Sequence, residues 1–304
     1  SITSTFTLKL KSMEKYFSES ELILRPDKSV YHLGVKGEDL ADDIIIVGDP
    51  DRVAVITSRF DSVRFSTASR EFCIQTGRYN SKEISVVSTG IGVDNIDIVI
   101  NELDAAVNIN PTTRMVNKVL RKLNFLRLGT SGALDPKIKL HDIVCSAAAI
   151  GMDGVPHFYD FEFSQDELDM ADRFSQDCGW PEKVASPYAV MASKHLLDKF
   201  EGVYNHKGIT ITANGFYGPQ NRELRGRLRN PEIEESYRSF SSHGMSVTNF
   251  EMETSGIYAL SKMLGHSHLT LCVILANRIN KEFSLNPEEA VNSLIDRALN
   301  SLSS

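Results

Sequence analysis

Short runs of apolar, often β-branched residues recur along the 304-residue chain, and segments with helical periodicity separate them. Runs of this length and composition predict β-strands. Strands that alternate with helices predict an α/β domain whose binding residues lie on loops at the strand ends. The predicted strands are Ile44–Val47, Ile84–Val87, Phe125–Leu128, Ile143–Ala149, Ile209–Thr212 and Leu269–Leu275.

Two helices have clear start signals. Asp94 is placed to cap a helix that runs to about Asn108, and Asp97 occupies the capping-box position. Asn286 and Pro287 supply a cap and a first-turn proline for a helix near the end of the chain. Both apolar stripes predict core packing, and the second helix should cover the sheet. The stripes are Ile96, Val99, Ile100, Leu103 and Val107, and then Val291, Leu294, Ile295, Ala298 and Leu302.

Charge and composition argue against several classes of protein. A net charge of -7 disfavours a general nucleic-acid or membrane-surface binder, because such proteins carry excess Lys and Arg. No apolar stretch approaches a membrane span, and the N-terminus lacks a hydrophobic signal core, so a cytoplasmic location is expected. The four cysteines, Cys73, Cys145, Cys178 and Cys272, lack paired spacing and are interpreted as core thiols.

The chain shows no convincing internal linker. We interpret residues 1–24 as an N-terminal tail, flexible in part, and residues 25–304 as one domain. Ser1–Ser12 is rich in Ser, Thr and Lys, and Met13 is a candidate start of the natural product. The charged segment Asn110–Leu123 is interpreted as an insertion whose Lys and Arg form a solvated face rather than a binding patch.

Two glycine-containing loops follow predicted strands and carry arginines. In GDPDR, the Gly48 amide and the Arg52 side chain can bind an anion, although an ordinary turn with a surface arginine is an equal alternative. In RLGTSG, Arg127 lies in a predicted buried strand and therefore needs a partner. That partner is a structural carboxylate or a bound phosphate, and the hydroxyl of Thr130 with the adjacent glycines favours phosphate.

Six motifs of the chain occur together, in the same order, in one known family. They are GDPDRV, SREF at Ser69–Phe72, STGIG, LRLGTSGA, FYGPQNR at Phe216–Arg222 and NFEMET at Asn249–Thr254. The chain thus resembles the uridine phosphorylases of nucleoside phosphorylase family I over most of its length. The resemblance implies a single-domain α/β fold with a central mixed β-sheet, partly barrel-like, flanked by helices.

The resemblance also implies the reaction, which is phosphorolysis of uridine to uracil and ribose 1-phosphate in pyrimidine salvage. Inorganic phosphate is the co-substrate, and no cofactor is expected. The family's phosphate site corresponds to Gly48, Arg52, Arg70, Arg127 and Thr130. Arginines suit this task because the phosphate must be held against the anomeric carbon. An anionic nucleophile needs no general base as the bond breaks through an oxocarbenium-like state.

The ribose site implied by the resemblance is the EME segment of Glu251, Met252 and Glu253. In the family a carboxylate accepts the sugar hydroxyls, and Glu253 is our preferred candidate. Glu251 would face the same way in an extended segment, and its alternative role is an ion pair with an arginine. His32, in a YHLG stretch, matches the histidine that reaches a partner's ribose 5′-hydroxyl in the family.

The implied base site comprises Gly132, Phe216, Gln220, Arg222 and Arg278. A glutamine amide can pair with the edge of uracil, an aromatic ring can stack on it, and Arg222 can stabilise charge on the leaving pyrimidine. The chain reads YGPQ where the family usually reads YPGQ or YEGQ, which leaves the form of the turn open. The alternative for Arg278 is a surface salt bridge. The expected catalytic residues are Arg52, Arg127, Arg222 and Glu253.

Substrate and assembly are less tightly constrained. Purine-specific relatives place an aspartate near the last strand, where this chain has Asn277, so a pyrimidine is favoured. If Arg70 and His32 act in a neighbour's site, the active unit is at least a homodimer with shared sites. Asn95 replaces a family serine near a cation site found in some relatives, so no metal is predicted. The open alternatives are a purine nucleoside phosphorylase, a nucleosidase that uses water, and a non-catalytic nucleoside-binding protein.

Overall fold

Residues 15–304 are described by a computed structural model, so the first part of the predicted tail, residues 1–14, lies outside the described chain. The fold has two compact units. One contains the residues up to Gly90 together with Ile98–Asn124, and the other contains Ile91–Asp97 together with Phe125–Ser304. All six predicted strands are present as strands of the structure.

The first unit is built on four strands in the order β1, β4, β3, β2. Strands β1 and β4 are parallel, and the other two pairs are antiparallel. Helix α1 follows β1, and helix α2 follows β4, although the first five residues of α2 belong to the second unit. The elements are β1 (Asp43–Val47), α1 (Pro50–Thr57), β2 (Ser62–Ser69), β3 (Phe72–Tyr79), β4 (Lys82–Ser88), α2 (Val93–Asn108), β5 (Ile109–Asn110) and β6 (Met115–Val116).

The parallel pair β1 and β4 brings two sequence motifs side by side. Val47 pairs in register with Ser88, and the Thr89 amide donates to the Val47 carbonyl at 2.9 Å. Both strands therefore end at the same edge, where the chain continues into Gly48 and Gly90. Only 3.4 Å would separate a Cβ at Gly48 from the Gly90 carbonyl oxygen.

The charged insertion is anchored to the same unit by two of its arginines. Arg114 donates to the carbonyls of Phe17, at 2.7 Å, and Ser18, at 2.9 Å. Arg121 pairs with Asp42 and donates to backbone carbonyls of residues 37 and 40. The prediction of a solvated face is therefore wrong for these two side chains, because both are partly buried and donate to backbone carbonyls.

The second unit contains a closed, mixed barrel of five strands, in the order β7, β13, β8, β10, β12 and back to β7. Strands β8, β10 and β12 run parallel, while β13 is antiparallel to β8 and β12 to β7. The elements are β7 (Asn124–Ala133), β8 (Ile143–Gly151), α3 (Gln165–Asp177), β9 (Tyr188–Met191), α4 (Lys194–Lys199), β10 (His206–Thr212), α5 (Ile233–Ser239), β11 (Ser241–Ser242), β12 (Met245–Glu251), α6 (Thr254–Leu264), β13 (Ser267–Asn277), β14 (Glu282–Phe283) and α7 (Pro287–Ser303). The predicted α/β class with a partly barrel-like mixed sheet is confirmed.

Helices pack against the barrel strands, and the first residues of two helices can be compared with the predicted starts. Helix α7 begins at Pro287 after Asn286 as predicted, and it packs on β13 through a buried apolar face. The predicted cap at Asp94 is wrong, because α2 begins at Val93 and Asp94 lies inside its first turn. Within residues 15–304, no helix combines the length and apolar character that crossing a bilayer demands.

Candidate active site

A buried cluster of one arginine and two glutamates lies where β7 and β12 meet in the second unit. The Arg127 guanidinium forms an ion pair with Glu253, lies 3.4 Å from Glu251 Oε2 and donates to Cys272 Sγ at 3.2 Å. Gly129 makes room for this arrangement, since a Cβ there would lie 2.1 Å from Arg127 Nη1. The predicted buried arginine therefore has structural carboxylate partners, and they are the two predicted ribose ligands.

The backbone at the end of β12 explains how both glutamates reach the same arginine. Strand β12 ends at Glu251, and the chain bends before α6 begins at Thr254. Glu251 Oε2 accepts the amides of Glu253 and Thr254, each at 2.9 Å, and Oε1 accepts the Thr212 hydroxyl at 2.5 Å. Glu251 therefore caps helix α6, a position favoured for a carboxylate, whereas the other oxygen of Glu253 accepts only the Gly92 amide at 2.8 Å.

The charges of this cluster are unbalanced, since two carboxylates face one guanidinium. Burial would lower the pKa of Arg127, but Glu253 and Glu251 outweigh it and keep the arginine charged. Burial raises the pKa of Glu253, and so does Glu251, while Arg127 and the Gly92 amide oppose the rise. The pKa of Glu253 is thus raised by its burial despite its ion pair with Arg127.

A second cluster in the same unit contains the predicted base-site residues. A Cβ at Gly132 would lie 3.6 Å from Arg278 Cγ and 3.8 Å from Arg222 Nη2. Arg222 Nη1 donates to Gln220 Oε1 at 2.6 Å, and its guanidinium carbon lies 4.0 Å from the centre of the Phe216 ring. All five predicted residues therefore belong to one cluster, with Gly132 in van der Waals range of the side chains of Arg222 and Arg278.

The YGPQ variation produces a compact turn. Gly218–Gln220 forms a single turn of 3-10 helix, and Asn221 follows in the left-handed region with φ of 56°. The Arg222 amide then donates to the Tyr217 carbonyl at 2.8 Å. This turn buries Gln220 and returns Arg222 to the same side as Phe216, so the Gln-x-Arg pair stays together.

The alternative of a surface salt bridge for Arg278 is wrong, because its ion pair with Glu234 is mostly buried. Burial lowers the pKa of Arg222 to about 10, and the neighbouring Arg278 contributes to the shift. Burial also lowers the pKa of Arg278, against the opposing charge of Glu234. The cluster thus contains two guanidinium groups and one carboxylate, an excess of positive charge that suits an anionic group.

Of the other predicted phosphate ligands, Thr130 lies half-buried on β7 in the second unit, and the remaining three lie in the first unit. Asp49 caps α1 by accepting the Asp51 amide at 3.0 Å, and Arg52 lies half-buried in the first turn of that helix. Arg70 is exposed at the tip of the β2–β3 hairpin, where its φ is 57°. Gly48 lies at the joint between β1 and α1, so its amide is at the strand-end edge described above.

His32 also lies in the first unit, and a carboxylate holds it. Its Nδ1 lies 2.5 Å from Glu102 Oε1, and Glu102 accepts the backbone amides of His32 and Leu33. Arg25 donates to the His32 carbonyl at 3.1 Å and to the Ser69 hydroxyl at 2.9 Å. Arg25 thus links the segment of His32 to the hairpin that carries Arg70.

Sequence reasoning missed Glu102, Arg25, Glu234 and the thiol of Cys272. Glu102 offered a signal, since it is a carboxylate beside the apolar stripe of α2. Glu234 and Cys272 offered none, because their partners are distant in the sequence, whereas Arg25 lies only seven residues from His32. Among residues 15–304, no group of three or more His, Cys, Asp or Glu side chains is arranged to hold a metal ion.

Asn277, the position where an aspartate was sought, has a structural role. Its amide nitrogen donates to the carbonyls of Asp135 and Ile138, and its oxygen accepts the amides of Ile279 and Asn280. All of its hydrogen-bonding capacity therefore holds two turns together, and the side chain offers no proton to a ligand.

Comparisons with known proteins show the family to which the chain belongs. The phosphorylase superfamily profile matches residues 42–302. A uridine phosphorylase of Thermococcus kodakarensis is 30% identical over 265 residues, which cover 83% of this chain and 79% of that protein. A DeoD-type purine nucleoside phosphorylase of Caldanaerobacter subterraneus is 27% identical over 272 residues, or 87% of this chain and 95% of that protein.

Similarity extends to a solved structure. The Trypanosoma brucei nucleoside phosphorylase, whose crystal structure is described as showing uridine phosphorylase activity, superposes with a TM-score of 0.82. It is 29% identical, and the match covers 93% of this chain and 98% of that one. Both uridine and purine enzymes are thus similar to this chain.

Proposed function

Because the chain belongs to the phosphorylase superfamily, we propose that it catalyses the phosphorolysis of uridine in pyrimidine salvage. The products are uracil and ribose 1-phosphate. The observation that carries the choice of a pyrimidine is the cluster around Gly132, in which Gln220 and Arg222 are hydrogen-bonded beside the ring of Phe216. A glutamine amide and a guanidinium match the alternating donors and acceptors of uracil.

The ribose is assigned to Glu253, with Met252 packing against the sugar. Glu251 accepts three hydrogen bonds and also faces Arg127, whereas Glu253 accepts hydrogen bonds from the Gly92 amide and Arg127 and so retains acceptor capacity for sugar hydroxyls. Arg127 has five N–H donors, so it can hold Glu253 and a phosphate at the same time. This geometry couples occupation of the phosphate site to the orientation of the ribose carboxylate.

Phosphate binding is assigned to Arg127 and Thr130 together with Gly48, Arg52 and Arg70. Phosphate attacks the anomeric carbon as the glycosidic bond breaks, and catalysis consists mainly of holding the anion in position. On the other side, Arg222 stabilises the negative charge that accumulates on the leaving uracil. The exposed hairpin tip of Arg70 suits donation to a neighbour's site, so a homodimer with shared sites is part of the proposal.

A nucleoside panel tests the proposal directly. The protein is incubated with uridine, deoxyuridine, thymidine, inosine and adenosine, with and without phosphate, and ribose 1-phosphate and free base are measured. We expect uracil and ribose 1-phosphate from uridine only when phosphate is present. Rapid cleavage of inosine with inert uridine would overturn the choice of base, base release without phosphate would indicate a nucleosidase, and binding without turnover would indicate a nucleoside sensor.

A further inference from the structure

The loop of Gln220 and Arg222 is held from behind by a buried ion pair. Arg278 Nη1 donates to the Gln220 carbonyl at 2.5 Å, and Nη2 lies 3.4 Å from the Asn221 carbonyl. The same Nη2 pairs with Glu234 on helix α5. The two side chains are only 11% and 20% exposed, so solvent screens this pair weakly.

Polar contacts connect the loop to helix α5 and to the segment just before it. A groove of about 630 Å³ is lined by Gly218 and Pro219 of the loop and by Ile233 and Tyr237 of the helix. Besides the Arg278 contacts, the Asn221 amide group donates a hydrogen bond to the Pro231 carbonyl at 2.8 Å, two residues before the helix begins. The ion pair of Arg278 and Glu234 therefore links the backbone of the loop to the helix.

The three charges of this region have distinct positions. Arg222 faces Phe216 and Gln220, Arg278 contacts the backbone of the loop, and Glu234 contacts Arg278 from the helix. Without the carboxylate, the two guanidinium groups would repel each other across Gly132 with no compensating charge.

We propose that Glu234 is a positioning residue, which acts through Arg278 to hold Gln220 and Arg222 where they meet the nucleobase. This inference rests on the proposed function of the loop as the base site. In this role, Arg278 supports the loop, and Gln220 and Arg222 contact the base. Glu234 lies in a segment for which the sequence motifs gave no role.

The test is Glu234→Gln, which keeps the size of the side chain and removes its charge. We expect the KM for the nucleoside to rise about tenfold and inhibition by the free base to weaken by a similar factor. The KM for phosphate and inhibition by ribose 1-phosphate should stay unchanged. The nucleoside used is the one that the wild-type enzyme cleaves fastest, so an error in the proposed base would not be mistaken for a failure of the positioning role.

Glu235→Gln is the matched control, because Glu235 is the next residue on the same helix and pairs with Arg238 at an exposed position. This variant should behave as wild type. Glu234→Asp keeps the charge and should recover part of the lost affinity. Trp180, the sole tryptophan, has its ring centre 6.4 Å from that of Tyr237 on α5, so its fluorescence reports whether the helix has moved.

An unchanged Trp180 emission together with a selective rise in the nucleoside KM supports the positioning role. Equal changes in the KM for nucleoside and phosphate, or the same loss in Glu235→Gln, would overturn it, as would kinetics of Glu234→Gln that match wild type. A variant that fails to fold is replaced by Glu234→Asp, for which a nucleoside KM between those of wild type and Arg278→Ala supports the inference, whereas a wild-type KM or a loss as large as that from Arg278→Ala overturns it.

Discussion

The cluster around Arg127 and the loop around Arg222 belong to the same unit, but they are built in opposite ways. Arg127 extends from a barrel strand, is nearly inaccessible to solvent and contacts two carboxylates. Arg222 lies on an exposed segment, next to a half-exposed Phe216, and hydrogen-bonds to a neutral amide. The first cluster is part of the core of the fold, and the second is attached to it by the contacts of Arg278.

Under the proposed function, this difference separates the residues that carry out the reaction from those that select the base. In the proposed function, the Arg127 cluster makes the phosphate and ribose contacts, which enzymes with different bases share, and a rigid barrel strand would supply them with little loss of entropy on binding. The base varies between relatives, and a loop can change without disturbing the core. We therefore expect substitutions in the two clusters to differ in whether they affect folding as well as catalysis.

The largest effect is expected for Arg127→Ala. The substitution leaves Glu251 and Glu253 buried without a cation, so the free energy of unfolding should fall by about 3–5 kcal/mol. Turnover should fall by about 10³-fold and lose its dependence on phosphate concentration. Denaturant unfolding and initial rates of ribose 1-phosphate formation measure the two effects.

Arg64→Ala is the control for that experiment, since Arg64 pairs with Glu83 at the surface and should contribute about 1 kcal/mol or less. If Arg127→Ala does not fold, Arg127→Lys retains a charge but loses the planar set of donors, and it should still bind phosphate poorly. A wild-type rate with either variant would contradict the proposed role of Arg127.

The next effect is expected for Glu253→Gln and depends on pH. Burial and the charge of Glu251 raise the pKa of Glu253 above 4.5, despite Arg127. The ionised form accepts sugar hydroxyls, so wild-type kcat/KM should fall as the pH drops through that raised pKa. The variant should lose about 10²-fold in kcat/KM at neutral pH and should lack this acid limb. A pH profile of both enzymes tests the prediction.

The same group makes a prediction for stability. A carboxyl with a raised pKa in the folded state binds its proton more tightly there than in the unfolded chain. Ionisation of Glu253 therefore destabilises the folded wild type as the pH rises from 4.5 through the raised pKa. The stability of Glu253→Gln relative to wild type should increase over this window, and a constant difference would show that Glu253 is not the responsible group.

A smaller effect, confined to catalysis, is expected for Arg222→Ala. Loss of a charged hydrogen-bond donor at the base should lower kcat/KM for the nucleoside by about 10- to 100-fold. The free energy of unfolding should change by less than about 1 kcal/mol, because Arg222 leaves no buried charge unpaired. Arg225→Ala, at an exposed position of the same segment, is the control. A loss of stability as large as that of Arg127→Ala would remove the distinction between the two clusters.

The fold was predictable where local patterns determine it. Residues 44–47 are all buried, and a continuous β-branched run is what such a strand requires. The start of α2 was placed wrongly, because an aspartate in the first turn gives nearly the same local signal as one at the cap. The arginines of the insertion appeared solvated because their carbonyl partners lie more than 75 residues away in the sequence.

The grouping of the candidate site residues was predictable where motifs carried it, and unpredictable where distant residues support it. The members of the base cluster were expected together, and the structure places them together. In the sequence, an amide at Asn277 in place of an aspartate favours a pyrimidine substrate. The four hydrogen bonds of Asn277 also give a structural reason for an amide at that position. Glu234 gave no signal, since only the folded chain places α5 beside Arg278.

The smallest expected effect concerns the aromatic face of the loop. Phe216 is about half exposed, and its ring lies 4.0 Å from the guanidinium carbon of Arg222. Cation–π contacts at exposed sites contribute about 0.5–1 kcal/mol, so Phe216→Leu should lower kcat/KM by about 2- to 5-fold and leave stability unchanged. Tyr217→Leu, at an equally exposed neighbouring ring, is the control. If Phe216→Leu instead impairs turnover more than Arg222→Ala, stacking rather than charge dominates base binding, and the loop differs from the Arg127 cluster in the kind of interaction as well as in burial.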